Sequence, residues 1–289
     1  MAFFIVPAVL IAAAAVFALH LFLIAPNHGR RAAMRPYEEN FLAHRGLFDN
    51  RGGCPENSLP AFRKAVEAGY GVELDVQMTA DDRLVVFHDA GLQRMCGVDL
   101  TLTDLTWEEL QRYPLLNSGE TIPLFDDVLD ILDGRVPLLV EIKAEGDYLR
   151  TCAAAAARMD RYPGSYLMES FHPLAVRWFR LHRPQVLRGQ LASDFLRDPI
   201  PESLPLRFGG ANLLGNFLSR PDFIAYNHHY ADQRSYRLCR RIFRPENAAW
   251  TVRSEEELRQ ARKVFQIIIF DSFRPQRNLE RAEEEEPRG

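Results

Sequence analysis

Cysteine, surplus positive charge and nucleotide-cradling glycine motifs are all scarce in this chain. Only four of its 289 residues are Cys, too few for a disulfide framework, and Cys54, Cys96, Cys152 and Cys239 show no metal-type spacing. They suit the reduced thiols of a cytosol. Lys+Arg number 35 against Asp+Glu 39, for a net charge of -4 and a pI near 6.1, so bulk attraction to nucleic acid is excluded. Neither GxGxxG nor GxxxxGKS/T occurs, which leaves no fingerprint for a dinucleotide or P-loop nucleotide. With 17 Gly and 18 Pro the chain is neither collagen-like nor low in complexity. Its 47% hydrophobic and 26% charged residues belong to an ordinary globular domain.

Charge is also missing from the first residues. From Phe3 to Ile24 the chain reads FFIVPAVLIAAAAVFALHLFLI, roughly 22 uncharged residues that as a helix can cross a ~30 Å hydrocarbon core. Pro7 falls in the first turns, where a missing N–H costs little, and His20 near the exit. A cleaved secretory signal would carry Lys or Arg before the apolar run; here Arg30, Arg31 and Arg35 all follow it. Residues 1–26 are therefore expected to be a retained single-pass membrane anchor, with the following domain on the cytoplasmic side. Residues 27–40 read as a polar juxtamembrane linker, and the acidic run in 279–289 as a disordered, solvated tail.

Residues 41–278 alternate apolar bursts with helical patterns. Eight bursts qualify as parallel strands, at 41–45, 71–77, 138–143, 165–171, 186–190, 223–227, 248–252 and 266–270. Helices are expected between them, the clearest from Ser58 to Ala68, capped by Asn57 or Ser58 and stopped by Gly69. The spacing predicts a (β/α)₈ barrel. A ninth burst, Leu84–His88, follows its predecessor too closely for a parallel crossover, so it must turn back as a hairpin. Residues 89–124 then form an excursion before the next βα unit. Leu115, Leu116, Leu213, Leu214 and Phe217 read as barrel packing, with lipid contact the alternative.

In such a barrel, chemistry gathers where the strands end. The strand exits carry His44 and Arg45, Glu73 and Asp75, Glu141 and Lys143, then Ser170 and Gln190. Glu73 and Asp75 lie two apart, so strand alternation turns both to one face. Inward carboxylates repel each other and lose hydration, and a hard divalent cation offsets both penalties. With Glu141 they suit one Mg²⁺ or Ca²⁺ ion better than Zn²⁺. His44 and His88 supply a general acid and a general base at neutral pH.

LAHRG at 42–46, PENS at 55–58, VELDV at 72–76, VFHD at 86–89, TIPLFDDVL at 121–129, VEIK at 140–143 and AWTV at 249–252 together resemble the glycerophosphodiester phosphodiesterase family. The ordered series spans Phe41 to Pro275. The resemblance implies a (β/α)₈ barrel, acid/base roles for His44 and His88, and metal ligation by Glu73, Asp75 and Glu141. It also implies phosphate binding by Arg45 and Lys143. Trp250 stands where it would floor a substrate pocket or fill the core. The implied reaction is metal-dependent hydrolysis of a glycerophosphodiester to glycerol 3-phosphate and an alcohol.

This sequence departs from the family's pattern at Arg253, where an Asn usually follows WTV, and at Phe270–Asp271, where TD is usual. Two other readings follow from the same residues. One is a membrane-lipid phosphodiesterase of lysophospholipase D or sphingomyelinase D type, with a lysophospholipid as substrate. The other is an inactive membrane-tethered binding module.

Overall fold

The computed structural model describes residues 2–198 and 200–276. Its strands are β1 (Phe41–His44), β2 (Gly71–Met78), β3 (Leu84–Val86), β4 (Leu138–Ile142) and β5 (Tyr166–Ser170), followed by β6 (Leu187–Ala192), β7 (Phe223–Asn227), β8 (Glu246–Val252) and β9 (Ile267–Phe270). All but β3 pair in parallel, and β1 bonds to both β9 and β2, which closes an eight-stranded barrel. β3 runs antiparallel to β2, with Val76 opposite Val86. The hairpin inferred from the short connection is thus present.

Every residue of β2 is buried, because one face meets the helices and the other the barrel interior. Outward residues Val72, Leu74 and Val76 pack with Phe62, Phe125 and other helical residues in one core. The helix Leu59–Glu67 supplies Phe62, Ala65 and Val66 at helical spacing. It is stopped by Gly69, whose φ of +71° a side chain would strain. Asp147 caps Tyr148–Met159 by accepting from the amides of Leu149 and Arg150.

The barrel interior divides into two levels. Its lower level is a second apolar core of Leu42, Leu139, Leu167, Leu187, Phe223 and Ala248 among others. Gly189 makes room there: a Cβ at this position would collide with the Phe223 ring.

The base is sealed by a segment read above as a polar linker. Residues 31–38 form a helix whose Met34 and Tyr37 are buried in this lower core. Two arginines and a glutamate make the helix polar on average, yet the three-residue spacing of Met34 and Tyr37 puts both on one face. Arg30 donates to the carbonyls of Pro184 and Val186 and pairs with Asp222, and Arg31 pairs with Glu246. Arg30, Arg31, Met34 and Tyr37 therefore pack or pair against the base of the barrel.

The excursion after β3 has a core of its own, with Val85, Phe87, Leu92, Met95, Leu102, Leu110, Leu115 and Ile122. Its weak periodicity reflects single-turn helices, Gln93–Cys96 and Trp107–Leu110. Leu115 and Leu213 are buried, and Phe217 packs on Phe22, so packing accounts for them. The N-terminal helix α1 runs from Ala2 to Ile24; it is long and apolar enough to cross a membrane over Val6–Ile24. The acidic run in 279–289 lies outside the described residues.

Candidate active site

Strand alternation that places leucines in the lower core places charge above them. Leu42 is followed at i+2 by His44, Leu139 by Glu141, Leu167 by Glu169 and Ile269 by Asp271, all inward. The register sets Asp75 beside Glu141 and Glu141 beside Glu169. Ligand oxygens of Glu73, Asp75 and Glu141 all lie within 4.8 Å of one another, and this buried trio could hold a metal ion.

Two cations answer the trio. Lys143 Nζ lies 2.9 Å from Asp75 Oδ1 and 2.8 Å from Glu141 Oε1. Arg45 Nε stands 3.4 Å from Asp75 Oδ2, and Asn57 donates to the same oxygen at 2.9 Å. Glu73 accepts only the Arg45 amide, at 3.1 Å, among the hydrogen bonds of the described residues. Burial, then the charges of Asp75 and Glu141, push its carboxyl well above the usual range. Asp75 is buried too, but Lys143 and Arg45 outweigh that and hold it well below. Oxygen donors of surplus negative charge are the donor set that a hard divalent cation takes.

The two histidines are held alike. His44 Nδ1 lies 3.0 Å from Asp271 Oδ2, and His88 Nδ1 lies 2.6 Å from Asp89 Oδ1. An Nδ1–H donated to a carboxylate leaves the Nε2 lone pair for proton transfer. Burial and the neighbouring Arg45 lower the His44 pKa to about 4, against the pull of Asp271. His88 lies near Asp75 and Glu141.

A second network ties these groups together. Glu56 accepts from Arg45 at 2.6 Å, from Arg94 at 2.7 Å and from Asn50 at 3.0 Å. Arg94 and Arg45 hold its carboxyl down at about 2 despite burial. Arg94 also grips Asp89 at 2.6 Å, so the PENS turn and the second histidine share one cation. Asn57, expected as a possible helix cap, has φ 55° and spends its side chain on Asp75. Ser58 is the N-cap residue and donates to Pro55 O instead of capping.

Trp250, from β8, stands beside the lower core and meets Phe171 edge-on at 5.5 Å. Ser170 and Gln190 face structural duties: Ser170 Oγ donates to Ile142 O, and Gln190 to the carbonyls of Ser170 and Phe171. Arg253, a departure noted above, pairs with Asp271 at 3.1 Å. Sequence reasoning missed Glu169 and Arg94. Glu169 is buried, and its Oε2 has no hydrogen-bond partner among the described residues. Burial and three nearby carboxylates, Glu73 first, raise its pKa well above the usual range. Its i+2 spacing from Leu167 was the available signal.

Known proteins carry the same arrangement of chain. A glycerophosphodiester phosphodiesterase from Bacillus altitudinis is 28% identical over 268 residues, covering 84% of this chain and 98% of its own. A human lysophospholipase D is 36% identical over 104 residues, 35% of this chain and 31% of its own. Among solved structures, an Oleispira antarctica phosphodiesterase in complex with the product sn-glycerol-3-phosphate superposes with a TM-score of 0.65 at 21% identity, covering 85% of this chain and 96% of that one. A Thermotoga maritima glycerophosphodiester phosphodiesterase superposes at 0.61 with 26% identity, covering 80% and 94%. The family model for glycerophosphoryl diester phosphodiesterases matches residues 44–272. That span opens on the first histidine and closes just past its aspartate partner, and the chain belongs to the glycerophosphoryl diester phosphodiesterase family.

Proposed function

We propose that the site hydrolyses a glycerophosphodiester to glycerol 3-phosphate and an alcohol, with His44 and His88 as its acid/base pair. One observation supports this above the others: two histidines, each with Nδ1 beside an aspartate, flank a buried carboxylate trio at the strand exits. One imidazole Nε2 takes the proton of the attacking oxygen, and the other returns a proton to the departing alkoxide, each worth about 10²–10⁴ in rate. Arg45 and Lys143 draw the phosphodiester towards the trio and oppose the charge that builds on its oxygens. Glu73, Asp75 and Glu141 would hold one Mg²⁺ or Ca²⁺ ion, which when bound adds positive charge at the phosphate. Asp271 and Asp89 keep the rings oriented.

Phosphate NMR of the purified full-length protein with glycerophosphocholine and glycerophosphoethanolamine tests this reading. Glycerol 3-phosphate formed with Mg²⁺ or Ca²⁺, and not with chelator, is the expected result. Phosphocholine as product, or full turnover in chelator, would overturn it.

A lipid phosphodiesterase reading draws support from the aromatic pair Phe171 and Trp250 at the mouth. Release of choline from a lysophospholipid, with no turnover of the soluble diesters, would install it. The binding-module reading loses ground because each histidine, carboxylate and cation is present and paired. We further propose that α1 anchors the chain with the barrel on the cytoplasmic side, supported by Arg30, Arg31 and Arg35 after the apolar run. Protease digestion of sealed inverted and right-side-out vesicles checks it: barrel cleavage is expected only in the inverted ones.

A further inference from the structure

The direction in which α1 leaves the barrel is fixed by its last two turns. His20 Nε2 lies 3.3 Å from Ser235 Oγ, in the first turn of the helix Arg234–Phe243, which starts beyond the exit of β7. Four residues later the Ile24 carbonyl accepts from Asn216 Nδ2 at 2.9 Å and meets Cys239 Sγ at 3.4 Å, one turn further along that helix. Asn27 N donates to Pro221 O at 2.8 Å, just before β7 begins. Between His20 and Asn27 the chain therefore descends from the active-site end of the barrel to the opposite end. A helix continued backwards from His20 must rise above the active-site end. Val6, Leu10, Ile11 and Phe17 are accordingly exposed. Ala2 to Leu19, at 1.5 Å per residue, extends about 27 Å, close to a hydrocarbon thickness.

The same end of the barrel carries an apolar rim. Leu204, Leu206 and Phe208, on the helix Leu204–Ala211, are 65%, 63% and 51% exposed, and Leu196 and Ile200 before them are also exposed. The rim helix ends at Asn212, whose Oδ1 accepts from Ser235 Oγ at 2.7 Å, the hydroxyl that faces His20. So the rim begins where α1 leaves. In the other direction, Arg207 Nε bonds the Phe195 carbonyl, the Phe195 ring lies 6.0 Å from Phe171, and Phe171 stands against Trp250. Exposed apolar side chains, Phe171, Leu196, Ile200, Leu204, Leu206 and Phe208, thus lie between the mouth of the site and the root of the apolar helix. Exposed apolar side chains clustered at one end mark an interaction site, and their place beside a helix of membrane length points to a bilayer as the partner.

We propose that the barrel rests on the bilayer with its active-site end towards the lipid, the β6 exit loop and the helix Leu204–Ala211 seated among the headgroups. On the hydrolase reading above, a phosphodiester then enters from the membrane side. The docking itself does not depend on that reading.

Nitroxide labels on Leu206→Cys, Phe208→Cys and Arg161→Cys test it, each in the full-length Cys96→Ser chain reconstituted in phosphatidylcholine and phosphatidylglycerol vesicles. Arg161 lies before β5, at the far end of the barrel. The ratio of oxygen to nickel-chelate accessibility is expected to be at least about threefold higher at 206 and 208 than at 161. Equal ratios would overturn the proposal. Strong dipolar broadening between labels at 206 would also overturn it, by showing a second copy on the rim. Glycerophosphocholine turnover in the same vesicles is read separately. Lipid-shielded labels on a protein that releases no glycerol 3-phosphate would leave the docking standing and remove the hydrolase reading alone.

Discussion

Leu167 and Glu169 are two residues apart on β5 and face the same interior, yet one adds to the stability of the barrel and the other draws on it. Below, Leu42, Leu139, Leu167 and Leu187 with Met34 and Tyr37 form an apolar plug, each large side chain contributing about 1.5–3 kcal/mol by leaving water. Above, Glu73, Asp75, Glu141 and Glu169 are as thoroughly buried but crowd acidic groups together, and burial with the neighbouring carboxylates pushes Glu73 and Glu169 well above the usual range. One alternating pattern thus separates the part that folds the barrel from the candidate site. The lesson is that burial alone says nothing of stability; the partner of each buried group decides.

That contrast can be broken most sharply by a pair of substitutions. Glu73→Gln relieves repulsion without orphaning Lys143, which pairs with Asp75 and Glu141. Turnover should fall about 10³-fold, while the metal-free melting temperature holds or rises. Leu167→Ala should do the reverse, losing about 2–5 kcal/mol in urea unfolding with kcat retained at low temperature. Next, His44→Ala and His88→Ala should each cost about 10²–10⁴ in turnover and leave divalent-ion binding, read by calorimetry, intact.

A pH comparison sharpens the same point. His44, lowered to about 4 in the folded protein from 6.5, leaves the unfolded chain to bind the proton first as pH falls. Its contribution is then complete above about pH 6.5 and is lost as pH falls to about 4. The stability difference between wild type and His44→Gln should decline across that window and stay level above it. The smallest effect is expected from Glu169→Gln, because the amide keeps the shape of a carboxyl that burial and Glu73 already push well above the usual range. Turnover within about threefold and an unfolding free energy within about 0.5 kcal/mol of wild type would agree.

Much of this was legible in the chain itself. Buried parallel strands read as apolar runs, and the carboxylates and histidines interrupt those runs at the exits, so barrel and site residues stood out together. What escaped was whatever depended on distance or on a minority face. Asp271 reaches His44 across 227 positions, and no local pattern announces that pairing. Met34 and Tyr37 are two apolar residues among arginines, outvoted in any average. Asn57 matched the composition of a helix cap, but its left-handed backbone turns the side chain to Asp75.

The sealed base has a practical meaning for anyone who wants this enzyme in solution. The natural place to cut is not at Phe41, where the first strand starts, since that would pull a stopper and wet the leucines above it. Nor is it directly after Ile24, whose carbonyl and the next, that of Ala25, are held by Asn216 and Arg220. A working soluble fragment should keep the chain from His20 onward, parting with the projecting helix and carrying its own cork.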